Sequence, residues 1–468
     1  MFYKLAGKIA RIRFLSLKLI FKFLISFTII VMMISAVYAQ PPTLLWDDDV
    51  GTNDIALSKD GNYVAVATGQ EVRYYGRDSG TPLWIKQLST GPFAVLSVAI
   101  SADGDCVAAG TSHSGGGEIY FWKNARTRAA STADPTWNSA NLGGPIFHRC
   151  LDISDDGNYV VACGTGMWVF YWANAKGRST TIEQTSWKSQ EFAHVGAVDL
   201  SSDGDYVVAG VYSNIGSTPA VAYWKNARSL TGNPQAYDWL ATEPDNQVVD
   251  IAISDDGDYV SAATQTDLSV HYWAGAKNLN GDPPSQWWGG QNVSFTSIDM
   301  SSDGDSVIAG SEGPTPKIYF WGAANTLTGK PQNPTWTYTT DNGIHDVGIN
   351  ALGDFMVAAQ SVMTPHKVFF FDKVGDLKWS FELDQSSHVV SISSNGDTVA
   401  VGTQEPTTAY LLDTGYSSLA PVGGITAKIN KLEIMTPYLT LVALLAIVSA
   451  LHVVRRRKDE RTPIVEKI

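Results

Sequence analysis

The chain has little cysteine: three in 468 residues, Cys106, Cys150 and Cys163. That excludes a disulfide-built small domain and any Cys-Xaa-Xaa-Cys redox or zinc motif. A Gly-Xaa-Ser-Xaa-Gly elbow, a phosphate-binding loop and a His-Glu-Xaa-Xaa-His helix are also missing, so no reaction class is announced locally. Basic charge is scarce where it would matter for nucleic acid. Of 33 basic and 46 acidic residues, 12 basic and 3 acidic fall in the two terminal segments, which leaves 21 basic against 43 acidic between them. An acidic surface of that kind excludes nucleic acid as a partner by electrostatics. There is a single glycosylation-type sequon, Asn292-Val293-Ser294.

Long apolar runs occur only near the ends. Residues 1–39 carry Lys4, Lys8, Arg11, Arg13, Lys18 and Lys22 without an acid, then an apolar stretch from Phe23 to Val37, then the small-residue site Val37-Tyr38-Ala39. This is the pattern of a secretory signal, with an uncleaved N-terminal anchor as the alternative. Residues 435–454 form a nearly unbroken apolar stretch, long enough for a transmembrane helix. The stretch is followed at once by Arg455-Arg456-Arg457-Lys458, and the positive-inside rule makes 455–468 a basic cytoplasmic tail. Residues 415–434, with Gly415, Pro421, Gly423 and Gly424, read as a short linker. The expected location is the cell membrane, single-pass, with residues 40–414 outside.

What fills 40–414 is one phrase used eight times. Ser58-Lys59-Asp60-Gly61-Asn62 returns at Ser101, Ser154, Ser201, Ser254, Ser301, Asn350 and Ser393, and successive glycines stand 43 to 53 residues apart. Apolar strands flank each copy. The third strands carry paired aromatics such as Tyr223-Trp224, and the fourth carry Trp84, Trp137, Trp187, Trp239, Trp287 or Trp288, Trp336 and Trp379. A repeat of this length, built on turns between strands, predicts an all-β, eight-bladed β-propeller. The rings are expected to pack between blades. An extra fourth strand, Leu44-Leu45-Trp46, precedes the first repeat, and none follows the last. Ring closure by the N-terminal strand is therefore expected, and it removes two open sheet edges. A seven-bladed ring is the alternative, because Leu352 and Asn395 replace the turn aspartate in the last two repeats.

Few residues stand out as a site. Reading Asp156-Gly157 as a two-residue hairpin places Cys150 opposite Cys163 at a non-hydrogen-bonded position, a disulfide candidate in an oxidising exterior. Asp152, Asp199 and Asp299 share the position two before the turn serine on the innermost strand, which makes them candidates for a cation such as calcium in the channel. His345 and His388 share the position five before it, and with His148 and His194 they fall in inter-blade loops as candidates for a metal. The spacing of one histidine per blade argues against their meeting on one ion. The Ser-Xaa-Asp-Gly-Asp turns lack the spaced ligands of a calcium loop and read as hairpins.

The phrase Ile251-Ala-Ile-Ser254-Asp-Asp-Gly257-Asp-Tyr-Val260 resembles the repeats of WD40-like and TolB-like propellers. Asp78-Ser-Gly80-Thr-Pro-Leu-Trp84 and Asp372-Lys-Val-Gly375-Asp-Leu-Lys-Trp379 resemble those of quinoprotein, or PQQ-type, propellers. The resemblance implies the scaffold. The adjacent cysteine pair of quinoprotein dehydrogenases is missing here. The acidic exterior, C-terminal anchor and arginine-rich stop are similar to archaeal cell-surface proteins. The expected function is a non-enzymatic cell-surface propeller displaying loops for an extracellular protein or glycan, without a cofactor. The alternatives are a PQQ- or metal-dependent oxidoreductase and an envelope assembly scaffold.

Overall fold

In a computed structural model of the chain, residues 41–418 are described, apart from 89–93, 165–167, 180–181, 212–219, 245–246, 266–268, 291–292, 361–363, 405–407 and positions 114, 193, 365 and 385. The signal segment, most of the linker, the apolar stretch at 435–454, the tail and Asn292 lie outside the described residues. Among those described, no helix is long and apolar enough to cross a membrane.

Eight sheets of antiparallel strands follow one another in chain order. Blade 1 is Asp54–Leu57, Tyr63–Ala67, Glu71–Gly76 and Ser79–Gln87, and blades 2 to 7 repeat this order through Leu377–Leu383. Blade 8 takes three strands from Ser387–Ile392, Thr398–Thr403 and Ala409–Asp413, and its outermost from Thr43–Asp48 at the other end of the chain. Thr43 lies opposite Asp413 and Asp48 opposite Ala409, with a bulge between Leu44 and Trp46. Arg77 of blade 1 reinforces this join, reaching Asp397 at 3.3 Å and Asp413 at 3.2 Å in blade 8. The ring is therefore closed by the N-terminal strand, and it has eight blades.

The repeated phrase makes a four-residue connection rather than a two-residue hairpin. In blade 3, the Gly157 N–H donates to Ser154 O at 2.8 Å and the Ser154 N–H to Tyr159 O at 3.0 Å. The Ser154 hydroxyl accepts from the Tyr159 N–H at 3.0 Å and donates to Asp156 at 2.7 Å, and Asp156 Oδ1 accepts from the Asn158 N–H at 2.9 Å. Each letter of the phrase thus satisfies a backbone group that the tight connection would otherwise orphan. In blade 7 the Asn350 carboxamide oxygen accepts from both Asp354 and Phe355, at 2.9 and 2.8 Å, so no aspartate is needed and Leu352 stands exposed. In blade 8, Asn395 Oδ1 accepts from the Asp397 N–H. The two divergent repeats are complete blades.

The four-residue connection keeps the pairing but shifts its parity. Cys150 is opposite Cys163, yet the Cys163 N–H donates to Cys150 O at 2.8 Å, so the site is a hydrogen-bonded one and not the non-hydrogen-bonded one expected. The two are joined as a disulfide with Cα atoms 4.7 Å apart.

Blades are held together by three repeated contacts. Fourth-strand tryptophans donate from Nε1 to a carbonyl of the next blade: Trp84 to Ala125, Trp137 to Ala175, Trp187 to Ala227, Trp239 to Ala276 and Trp287 to Ala324, at 2.9–3.0 Å. Third-strand tyrosines donate to the next turn, as Tyr223 does to Gly257 O at 2.5 Å. The turn glycines then lie on the preceding blade's first second-strand ring. A Cβ on Gly204, at φ +76°, would stand 2.4 Å from the Tyr159 ring. Free Cys106 occupies that ring position beneath Gly157 and is buried there. Each buried ring removes about 150–250 Å² from water.

Candidate functional site

The innermost strands line an axial channel, and this is where the fold gathers titratable groups. At the turn face, the residue after each turn serine or asparagine forms a belt, with Asp60 donating in place of Lys59 in blade 1. Backbone N–H groups of Asp60, Ala102, Asp155, Ser202, Asp255, Ser302, Ala351 and Ser394 each donate to a carbonyl of the neighbouring blade, at 2.9–3.4 Å, until Ser394 reaches Lys59 and the circle is complete. Lys59 crosses the opening from blade 1 to Asp155 in blade 3, at 2.7 Å, and Asp255 in blade 5, at 3.0 Å. Burial opposes its charge, but Asp255 and Asp155 outweigh burial and hold the ammonium above its ordinary range.

Inside the belt the carboxylates act as fasteners. Asp199 accepts from its neighbour Leu200 N–H and from Ile253 N–H in the next blade, both at 2.8 Å. Asp299 does the same with Met300 and Ile349, both at 2.8 Å. Asp54 accepts from Ile55 and Val98, and Asp250 from Ile251 and Ile298. An innermost strand has a free edge of N–H groups, and an acid from the preceding blade satisfies them. Burial pushes Asp54 and Asp299 up to about 7. Asp152 is raised by burial to about 6 and shares a hydrogen bond with Asp199, which burial and the Asp152 charge hold well above the usual range. The turn-side half of the channel encloses about 310 Å³.

The far end is closed by Arg149. Its backbone is left-handed, at φ +68°, and the disulfide fixes its neighbour Cys150. The side chain crosses from blade 3, donating to Thr296 O at 2.6 Å and His345 O at 3.1 Å, with Asp250 at 3.4 Å and Asp346 at 3.6 Å. Three imidazoles surround it. The rings of His345 and His388 are 4.0 Å apart, and His148 is 6.0 and 5.6 Å from them. Burial, then His388 and Arg149, hold His345 down to about 4, and burial and Arg149 hold His148 well below its ordinary value. These rings are neutral at pH 7.

The channel brings Asp152, Asp199 and Asp299 to its wall and His345 and His388 to one end, with His148 but without His194. The meeting of three histidines runs against the spacing argument: positions five and six before the turn serine both point inward at this end. Both oxygens of Asp199 and of Asp299 accept backbone N–H groups. Among the described residues no group of three or more His, Cys, Asp or Glu side chains is arranged to hold a metal ion. Sequence reasoning passed over Lys59, Arg149, Asp250 and Asp346, and it reads Asp54, with Asp47, Asp48 and Asp49, as a solvated loop, whereas Asp54 is a channel fastener. The acids among these share the position four before the turn serine or asparagine, a signal present in the rows of repeats. Lys59 and Arg149 occur once each and leave no periodic trace. A smaller cleft of about 180 Å³ lies between blades 1 and 2, lined by Gln70, Leu88, Val95, His113, Glu118 and Tyr120.

The class defined is a WD40-like β-propeller. The C-terminal WD40 domain of Sif2 is similar over 80% of this chain and 98% of that one, with a TM-score of 0.60 and 14% identity. A chain of a mitotic checkpoint complex is similar over 69% of this chain and 90% of that one, at a TM-score of 0.49 and 15% identity. The first likeness establishes the fold alone. No family model matches the chain, and no curated protein matches it.

Proposed function

We propose that the chain is a membrane-anchored, cell-surface propeller that binds an extracellular protein or glycan and performs no reaction of its own. The observation that carries this reading is the commitment of the channel's polar groups: carboxylates cap backbone edges, and Lys59 and Arg149 close the two openings. Surface is then what the scaffold offers. The path of the chain adds to it. Thr43 begins the outermost strand beside Asp413, and Ser418 N–H donates to Asn395 O in a turn at 2.6 Å. Both ends of the described chain lie at the turn face. The test is protease treatment of intact cells combined with crosslinking. The reading expects loss of the propeller and retention of a short membrane-bound C-terminal fragment, with a crosslinked external partner. A propeller protected from external protease, or a purified protein carrying a chromophore or a stoichiometric ion, would overturn it.

A further inference from the structure

Each long loop between a third and a fourth strand does a second job, which is to cover the outer edge of the blade before it. The loop of blade 4 lays Gly232–Gln235 parallel to Trp187–Ser189 of blade 3, with Gly232 against Trp187. Blade 5 places Gly281 against Trp239, and blade 6 places Gly329 against Trp287, both parallel. The Leu240 N–H donates outward to Gly281 O at 2.8 Å, and the Gln190 N–H to Gln235 O at 2.9 Å. The covering segments share a pattern: Gly232-Asn233-Pro234, Gly281-Asp282-Pro283 and Gly329-Lys330-Pro331. The glycines supply left-handed backbone, at φ +87°, +68° and +98°, and proline needs no donor on the outer side. Trp187, Trp239 and Trp287 are fully buried beneath.

Among the described residues no segment pairs with the outer edge of blade 6, and the Trp336 ring is instead covered by Gly375 of the blade 7 turn, where an added Cβ would stand 2.9 Å from it. The corresponding connection in blade 7 is a tight turn, in which the Gly375 N–H donates to Asp372 O at 2.9 Å. Trp336 is left half-buried, and no backbone partner faces the outer edge of Trp336–Thr339 among the described residues. The Thr340 N–H points inward to Pro316 O at 3.0 Å, so by alternation the N–H groups of Thr337 and Thr339 point outward. These are the counterparts of Leu240 and Gln190. The other open edges are guarded: Pro82 and Lys86 lie in the outer strand of blade 1, Lys378 and Glu382 in that of blade 7, and Asp47 and Asp48 in that of blade 8. The run Trp336-Thr337-Tyr338-Thr339-Thr340 has no charge and no proline, and it is rich in residues that favour pairing.

From this we infer that the outer edge of blade 6 is a docking strand for an extended Gly-Xaa-Pro segment of a partner polypeptide, which pairs in parallel and presents its glycine carbonyl to the Thr337 N–H. The inference rests on the surface-binding reading and names the partner's chemistry. Three of the protein's own four covered edges supply the mode, register and sequence of the occupant, while the fourth, in blade 2, sets Glu183 against Ser139 without the glycine–proline pattern.

The probe is a synthetic peptide with the sequence of residues 229–236, added at millimolar concentration to the full chain. The readout is amide hydrogen exchange. Exchange at Thr337 and Thr339 should slow by about tenfold, with no change at Leu240 or Gln190. A peptide with alanine in place of the glycine should have no effect. Thr337→Pro removes an outward donor without touching the bond to the neighbouring strand, and it should abolish the response. Thr339→Lys, a charge on the same edge, serves where the proline variant does not fold. Unchanged exchange in the folded protein overturns the inference, as does equal slowing by the alanine peptide. A reversible dimer of the chain that protects the same amides without peptide also overturns it, since a second copy is then the occupant. An external partner still crosslinked to Thr337→Pro in cells overturns the inference while leaving the surface-binding reading intact.

Discussion

Gly204 and Gly281 both adopt positive φ, at +76° and +68°, yet only the first has a ring within reach of a Cβ. Gly281→Ala should therefore cost about 1–2 kcal/mol for the left-handed backbone alone. Gly204→Ala adds overpacking against Tyr159 and should cost about 1–3 kcal/mol more. Chemical denaturation of the two variants separates the terms, and equal losses would contradict the packing role. The titratable residues give a second expectation. Asp54 and Asp299, raised to about 7 by burial, bind protons more tightly folded than unfolded. Their stabilisation is full below about pH 4 and is lost as pH rises through 7. His345, lowered to about 4, works the other way: its contribution is full above about pH 6.5 and is lost as pH falls to 4. Asp299→Asn should flatten the loss of stability as pH rises from about 4 to about 7, and His345→Asn the loss as pH falls from about 6.5 to about 4, as read by thermal scans across pH.

The fourth-strand tryptophans are an element-scale device, because each joins its own sheet to the loop of the next. Trp239 Nε1 donates to Ala276 O, whereas the buried Nε1 of Trp224, on a third strand, has no partner. Trp239→Phe removes one of two donors to Ala276 O, the other being the Leu279 N–H at 3.3 Å, and should cost about 0.5–1.5 kcal/mol beyond the lost area. Trp224→Phe removes an unsatisfied donor and should cost less. Calorimetry that ranks them the other way would remove the hydrogen bond from the account. Much of this element was legible in the sequence. The eight turn phrases, the third-strand aromatic pairs and the tryptophans fixed the strand order and spacing, because period and turn chemistry are local. The turn geometry was not, since Asp156-Gly157 reads equally as the centre of a two- or a four-residue connection, and only the Ser154 hydroxyl bond decides. The site was legible in part. Asp152, Asp199 and Asp299 were visible as a recurring position, but their role as acceptors for a neighbouring blade depends on inter-blade geometry. The convergence of His148, His345 and His388 depends on the channel diameter, which no spacing along the chain encodes.

At the scale of the whole ring, stability hinges on one seam. Trp46 is 6% exposed and stacks on Tyr75 of blade 1 at 4.8 Å between ring centroids. Trp46→Ala should cost about 3–5 kcal/mol. Limited proteolysis of that variant should cut first within blade 8, between 385 and 413, and a first cut in blade 4 would refute the seam as the weak point. The closure also sets a timetable. The segment that leaves the ribosome first, 43–48, finds its mate only when 409–413 has been made, more than 350 residues later. Until then seven sectors can assemble in turn while the earliest one waits with an unzipped border, the moment in this protein's life when a chaperone has most to guard.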